Sequence, residues 1–265
     1  MRIAFLGYGT IARLVHTEIK RRRIPAIEAV AYLDPGLGDD DAEDARASGL
    51  QRAENLEELI DIRPDLVLEA ASQGAAKVTV PQLLSAGINV VSMSVGAYLD
   101  DNVMRLIDRT GRGRLLLPSG ALPGVDVVKA AVARGVSTVA LVTRKHPRSL
   151  AGAPGAAGRE LAPDGKPEVV FNGNAAEAVR LFPDNANIAA TLSLAGIGAE
   201  RTRVTIIADP DVQRNTHTVQ VLGEFGSYTA TVECEVSPNP KTSLLAPLSA
   251  VALLDTEASR IRVGT

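Results

Sequence analysis

The chain opens "MRIAFLGYGTIARLVHTEI" (residues 1–19), and the turn inside this stretch decides the fold. "RIAFLG" is a short apolar run of the kind that forms a buried strand, and residues 10–22 space their apolar positions as a helix does. Between the two, Gly7 to Ala12 read G-x-G-x-x-A. Gly7 permits a tight turn, Gly9 lets a phosphate group approach the backbone, and Ala12 is small enough for helix and strand to pack closely. The N–H groups at the start of that helix, those of Thr10 and Ile11 among them, then face the phosphate oxygens.

A strand–helix junction can need two glycines for its geometry alone, so the turn requires a second signal. Asp34 supplies one. It closes the apolar run "IEAVAYLD" about 25 residues after Gly9, where a carboxylate accepts hydrogen bonds from the ribose hydroxyls of a dinucleotide. The same carboxylate repels a 2′-phosphate and no arginine follows it directly, so the expected cofactor is NAD, with NADP possible.

Working outward, short apolar runs alternate with helical patterns as far as residue 118. "DLVLEAAS", "INVVSMS" and "RLLLPSG" read as strands, and "NLEELID", "AAKVTVPQLLSAG" and "DDNVMRLIDRTGR" as helices. Continuous apolar strands separated by helices predict a parallel sheet covered on both faces, a doubly wound α/β domain over 1–118. From residue 119 the pattern changes. "VSTVALVTRKH" is a strand, 149–167 is a loop rich in Gly, Ala and Pro, and helices contain "NAAEAVRLF" and "NIAATLSLAG". "RTRVTIIADP", "NTHTVQVLGEFG" and "SYTATVECEVS" alternate as strands and suggest antiparallel pairing. This second, α+β domain with a mixed sheet is expected over 119–240. A closing helix in 241–265, with Pro247 in its first turns, is expected to pack back on the first domain.

Composition narrows the function. The 265 residues suffice for one large or two modest cores, and 46% apolar with 22% charged residues is the balance of a soluble globular protein. A net charge of −3 gives no reason to expect nucleic acid or an anionic membrane as partner. Arg21, Arg22 and Arg23 end the first helical pattern, where positive charge complements the helix dipole. Cys234 is the only cysteine, which excludes an intrachain disulfide and a thiolate metal cluster. The three histidines, His16, His146 and His217, lack paired ligand spacing, so no metal site is expected. With no apolar leader and no uninterrupted apolar span of about 20 residues, the expected location is the cytoplasm.

The second half carries the candidates for chemistry. Asn185 and Asn187 precede a small-residue helix, where an asparagine caps the helix or meets a ligand. "SGALPGVD" (119–126) reads either as a hinge that needs small residues or as backbone placed to reach a nicotinamide. His217 stands on an alternating strand, as a structural residue or as a proton-transfer group titrating near neutrality. The "TRKH" cluster ending at His146 is a solvated strand end or a site for an anion.

Together, "GYGTIA", "SMSVGA", "SGALPGVD", "FPDNANIAATLSLAG", "ADP" with "NTH", and "NPKTSLLA" resemble the L-aspartate dehydrogenases, in order and over nearly the whole chain. The resemblance implies an NAD(P)-binding Rossmann domain followed by an α/β substrate domain, assembled as a homodimer or larger homo-oligomer. It implies oxidation of L-aspartate to iminoaspartate, which hydrolyses to oxaloacetate and ammonia or feeds NAD biosynthesis. It places cofactor contacts on Ala121 and Asn187 and the active-site histidine on His217. Leu122–Pro123 stand where the family commonly has Ile–Gly, and Pro123 removes one backbone donor from the bend. The two substrate carboxylates need donors, for which Ser119 and Gly120, Lys145, the helix start after Asn187, and Lys241 with Thr242 are candidates. Two other readings use the same opening turn. One is a related two-domain oxidoreductase of another amino or imino acid. The other is a non-catalytic sensor of the NAD redox state.

Overall fold

The computed structural model describes residues 1–22, 24, 26–110, 112–237 and 242–264. Arg23 and Lys241, both named above, lie outside the described residues. The chain divides into two compact units, one formed by Met1–Pro118 with Pro247–Val263 and the other by Ser119–Ala246 with Gly264.

In the first unit β1 (Arg2–Leu6) leads into α1 (Thr10–Arg22), then β2 (Glu28–Leu33), α2 (Asp39–Ala47), β3 (Gln51–Arg52), α3 (Leu56–Asp61) and β4 (Leu66–Glu69). The second half of the sheet follows as α4 (Gln73–Ser85), β5 (Asn89–Ser92), α5 (Asp101–Thr110) and β6 (Leu115–Leu116). The six strands are parallel in the order β3-β2-β1-β4-β5-β6. Every residue of β4, and all of β1 after Arg2, is buried, as a sheet covered on both faces requires. The helices start where polar side chains satisfy free N–H groups: Asn55 accepts from Glu58 N and Ser72 from Ala75 N. Strand order reverses between β1 and β4, so the carboxyl ends of these two strands form the switch point at which such sheets bind ligands.

In the second unit α6 (Val125–Val132) precedes β7 (Val136–Lys145), the one-turn α7 (Pro147–Leu150), β8 (Glu168–Asn174), α8 (Ala175–Leu181) and α9 (Asn187–Ala195). Then come β9 (Thr202–Ala208), β10 (Asn215–Gly223) and β11 (Gly226–Cys234), and finally α10 (Leu245–Ala258), most of which belongs to the first unit. Pro247 falls in the first turn of α10, where its missing N–H breaks no helical bond. The sheet runs β11-β10-β7-β9-β8 and is mixed.

Three expectations change here. β9, β10 and β11 are not a meander: β10 and β11 form a hairpin, but β7 lies between β10 and β9 and runs parallel to β9. "EVVFNGN", unassigned above, is the edge strand β8, antiparallel to β9. The 149–167 stretch is tied down rather than bare loop. It buries Leu150, Ala153, Ala156 and Ala162, and Glu168 of β8 binds Arg159 and accepts from Ala162 N at 2.7 Å. Among the described residues no helix is long and apolar enough to cross a membrane.

Candidate active site

Gly7 and Gly9 occupy different surroundings. Gly7 has φ +80° and packs against β4's exit, where an ideal Cβ would stand 2.7 Å from Ala71 Cα and N. The fold itself therefore demands glycine at position 7. Gly9 has no positive φ, and a Cβ there would meet nothing within 4 Å. Its carbonyl accepts from Arg13 N, so it is the residue that starts α1, followed by Thr10 and Ile11. Packing gives no reason for a glycine at position 9, whereas close approach of a phosphate to the helix start does. The turn thus fits a dinucleotide, and a Cβ on Gly9 would fill the cradle.

Asp34, at the end of β2, closes the same turn from the side. Its Oδ2 accepts from Tyr8 N at 2.8 Å and its Oδ1 from Gly36 N at 3.0 Å. A carboxylate has about four acceptor positions, so two remain for ribose hydroxyls. On the other side stands Glu69, which the sequence reading passed over. This fully buried carboxylate ends β4 and accepts from Ala71 N, Ser94 N and the hydroxyls of Ser92 and Ser94, at 2.5–3.2 Å. Burial raises its pKa, and these four donors oppose that shift. An acidic residue ending the apolar run "LVLE" was the available signal.

The second unit gathers polar side chains at one end of one sheet face. The helix-covered face of β7 carries Val139 and Leu141, then Thr143 and Lys145. On β10, antiparallel to it, the same face carries Val221 and Val219, then His217 and Asn215. Thr143 pairs with His217 across the strands, and Asn215 with Cys234 of β11. His217 Nδ1 lies 3.1 Å from Thr143 Oγ1 and its Nε2 lies 3.4 Å from Ser243 Oγ. Ser243 Oγ also accepts from Asn215 Nδ2 at 3.0 Å. Lys145 Nζ donates to Asn185 Oδ1 at 3.0 Å.

Burial sets the charge states. Desolvation, with a smaller contribution from Lys145, pushes His217 down to about 3. The expectation that it titrates near neutrality is corrected: its ring is neutral throughout the physiological range. Desolvation also lowers Lys145 to about 8, slightly offset by Cys234. Of the two side chains, the amine is the one poised to exchange a proton near neutral pH.

The remaining sequence candidates distribute as follows. The "TRKH" cluster is split by strand alternation: Arg144 binds Asp209 at 2.6 Å, Lys145 turns to the covered face, and His146 caps α7 by accepting from Arg148 N. Asn187 is the first residue of α9, but neither it nor Asn185 is the cap, which is Ala186 without a side-chain bond. Ser119, Gly120 (φ +64°) and the buried Ala121 form a turn closed by Leu122 N on Ser119 O at 3.1 Å. Thr242 offers its carbonyl to Ser237 N, while its neighbour Ser243 reaches the polar cluster. His16 is buried in the first unit, 2.5 Å from the Tyr8 hydroxyl, and burial lowers it to about 4. Thr143, Asn215 and Ser243 were missed. Polar residues at inward positions of alternating strands were the signal for the first two.

Comparison with known proteins matches this division. Residues 126–257 fit the family model described as "Aspartate dehydrogenase, C-terminal", and residues 7–110 fit "Homoserine dehydrogenase, NAD binding domain". The chain is 44% identical to an L-aspartate dehydrogenase of Methanosarcina mazei, with the whole of both chains aligned. It is 38% identical to that of Nitrosopumilus maritimus, over all of this chain and 99% of the relative. Its structure resembles the crystal structure of aspartate dehydrogenase from Thermotoga maritima with a TM-score of 0.78 at 28% identity, covering 100% and 99% of the two chains. With residues 126–257 fitting the aspartate dehydrogenase model and its L-aspartate dehydrogenase relatives aligning end to end, the chain belongs to the aspartate dehydrogenase family.

Proposed function

We propose that the chain oxidises L-aspartate at its α-carbon to iminoaspartate, which water converts to oxaloacetate and ammonia. The observation that carries this reading is the buried pair Lys145 and His217, set among Thr143, Asn215 and Ser243 at the end of an otherwise apolar sheet face. End-to-end likeness to proteins named L-aspartate dehydrogenase supports the substrate.

A nicotinamide dinucleotide, when bound, supplies the acceptor for the hydrogen on the substrate's α-carbon. Gly7, Gly9 and the N–H groups of Thr10 and Ile11 are assigned to its pyrophosphate, Asp34 to its adenosine ribose, and Ala121 and Asn187 to its nicotinamide end. The carboxylate of Asp34 favours NAD over NADP by charge. Lys145 and His217 are assigned to the reacting end of the substrate. Ser119, Thr242 and the start of α9 are assigned to its carboxylates. Burial of Lys145 and His217 strengthens the polar contacts these two make. The same reading carries a homodimer or larger homo-oligomer, which light scattering on the purified protein tests.

The deciding experiment mixes purified protein with L-aspartate and NAD at mildly alkaline pH and follows NADH absorbance. Parallel reactions use NADP, D-aspartate, L-glutamate and L-homoserine, and the reverse direction uses oxaloacetate with ammonium. Turnover of L-aspartate above all others is the expected result. Turnover of a different amino acid would move the substrate, and NADH binding with no turnover would favour a redox sensor.

A further inference from the structure

Amino acid oxidation has a proton problem that precedes the redox step. An α-amino acid arrives as an ammonium ion, and its nitrogen has no electron pair to give until it loses a proton. A group in the site must take that proton, and it must itself be unprotonated at that moment.

Two side chains stand at the polar end of the covered face. The ring of His217 is held between Thr143 Oγ1 and Ser243 Oγ, one on each nitrogen, and the hydroxyl of Ser243 is aligned in turn by Asn215. This places the ring as a fixed hydrogen-bonding plate. Lys145 is different. It sits two residues along β7 from Thr143, only 3% exposed, with Nζ 3.0 Å from the amide oxygen of Asn185. An amide oxygen accepts from the protonated and the neutral amine alike, so this contact orients Nζ without fixing its charge.

We propose that Lys145, not His217, is the catalytic base that takes the proton from the substrate's α-ammonium. This rests on the reading of the chain as an amino acid dehydrogenase. The neutral Lys145 amine accepts one proton, leaving the substrate nitrogen with a free electron pair. As the Cα–H bond breaks and its electrons pass to the nicotinamide, that pair forms the C=N bond of an iminium ion. Water then adds to the α-carbon and releases one proton to solvent. The Lys145 ammonium returns its proton to the nitrogen, the C–N bond breaks with ammonia leaving, and the carbinol oxygen sheds its proton as C=O forms. Lys145 ends neutral, and the sum is amino acid, water and oxidised cofactor to keto acid, ammonium, reduced cofactor and one proton.

Among the described residues, those that act on Lys145 include the titratable His217 on β10 and Cys234 on β11, with Asn185 before α9 accepting its hydrogen bond. Burial holds the amine at about 8, so its neutral form is substantially present at mildly alkaline pH, and it is a far stronger base than the His217 ring at about 3.

The test uses Lys145→Met, Lys145→Arg and Lys145→Ala in the full chain. Met matches the stem without a base, and exchanging a buried amine for an apolar side chain ordinarily preserves a fold. Arg keeps the charge but does not release its proton. Expected are a loss of kcat of at least a thousandfold in all three, NADH affinity within about twofold of wild type, and a melting temperature no lower for Lys145→Met. In wild type, kcat on saturating L-aspartate rises with pH through one group near 8. In Lys145→Ala that dependence vanishes, and added methylamine, ethylamine or aminoethanol restores turnover in proportion to amine basicity. A folded, NADH-binding Lys145→Met with kcat within tenfold of wild type overturns the proposal, as does rescue that follows amine size instead of basicity. Wild-type protein that oxidises no amino acid overturns the underlying reading and the proposal together.

Discussion

Replacing each glycine of the opening turn by alanine separates what the fold needs from what the cofactor needs, because the two stand in different surroundings. At Gly7 the φ of +80° places an L-residue in the left-handed region, which costs about 1–2 kcal/mol. The added Cβ would also lie 2.7 Å from Ala71 Cα and N and 2.8 Å from Ala70 C. These are backbone atoms at the end of a buried parallel strand and cannot swing aside, so overpacking adds about 1–3 kcal/mol. Gly7→Ala should therefore lose about 2–5 kcal/mol, a shift of roughly 4–20 °C in the melting of the first unit. At Gly9 the new methyl meets nothing within 4 Å and the backbone is not left-handed. Alanine is a slightly poorer helix start than glycine, by a few tenths of a kcal/mol to about 1, and the stiffer unfolded chain offsets a similar amount. Gly9→Ala should thus melt within about 2 °C of wild type. Its NADH affinity should nevertheless fall 10- to 100-fold, about 1.4–2.7 kcal/mol, because the methyl stands where a phosphate oxygen must approach the helix start. The chain has no tryptophan, so NADH fluorescence can be titrated without an indole background. Wild-type NADH affinity in Gly9→Ala would refute the cradle, and a loss of stability equal to that of Gly7→Ala would mean that Gly9 serves the fold.

Asp34→Ser removes the charge that opposes a 2′-phosphate, and the ratio of kcat/KM for NAD to that for NADP should fall at least tenfold; an unchanged ratio would detach Asp34 from cofactor choice. Both buried histidines have folded pKa values below the ordinary 6.5, His16 at about 4 and His217 at about 3, so the unfolded chain binds more protons between those values. Stability should therefore be fully present above about 6.5 and decline as pH falls toward 3, and urea midpoints of His16→Gln and His217→Gln should show a shallower decline than wild type. Glu69→Gln supplies one oxygen where two backbone N–H groups and two hydroxyls donate, leaving Ala71 N or Ser94 N facing an amide N–H. That mismatch should cost about 1–3 kcal/mol in thermal unfolding and loosen the strand exit against which Gly7 packs. His217→Ala should cut kcat by at least a hundredfold with NADH affinity nearly unchanged, and full turnover in that variant would remove the ring from the reaction.

The first unit was legible because its rules are local. Each strand of a parallel sheet is followed by its own helix, so reading the chain in order reads the sheet, and the apolar runs of β1 and β4 announce themselves. The second sheet is not assembled in chain order. β7 is inserted between β10 and β9, with more than fifty residues separating it from either partner, and no periodicity within a strand specifies which distant strand lies beside it. β8 was lost for a different reason: Asn172, Gly173 and Asn174 dilute its strand pattern to that of a turn, and pairing with β9 overrides them.

The site divides along the same line. Alternation in "VALVTRK" and "NTHTVQV" already puts Thr143 with Lys145, and Asn215 with His217, on single faces of their strands. What it leaves open is which face the helices cover, and the chemistry depends on that choice. Facing water, a lysine and a histidine would keep their ordinary titration ranges, and the histidine would be the natural base at neutral pH. Beneath helices both lose hydration, and desolvation acts against the charged form of each. The imidazole, beginning near 6.5, is carried out of the useful range to about 3, whereas the amine, beginning near 10.5, is carried into it at about 8. The same burial therefore exchanges the roles that the two residue types suggest on paper. Which of them moves the proton is decided by the packing of α8 and α9 over the sheet as much as by the residues themselves.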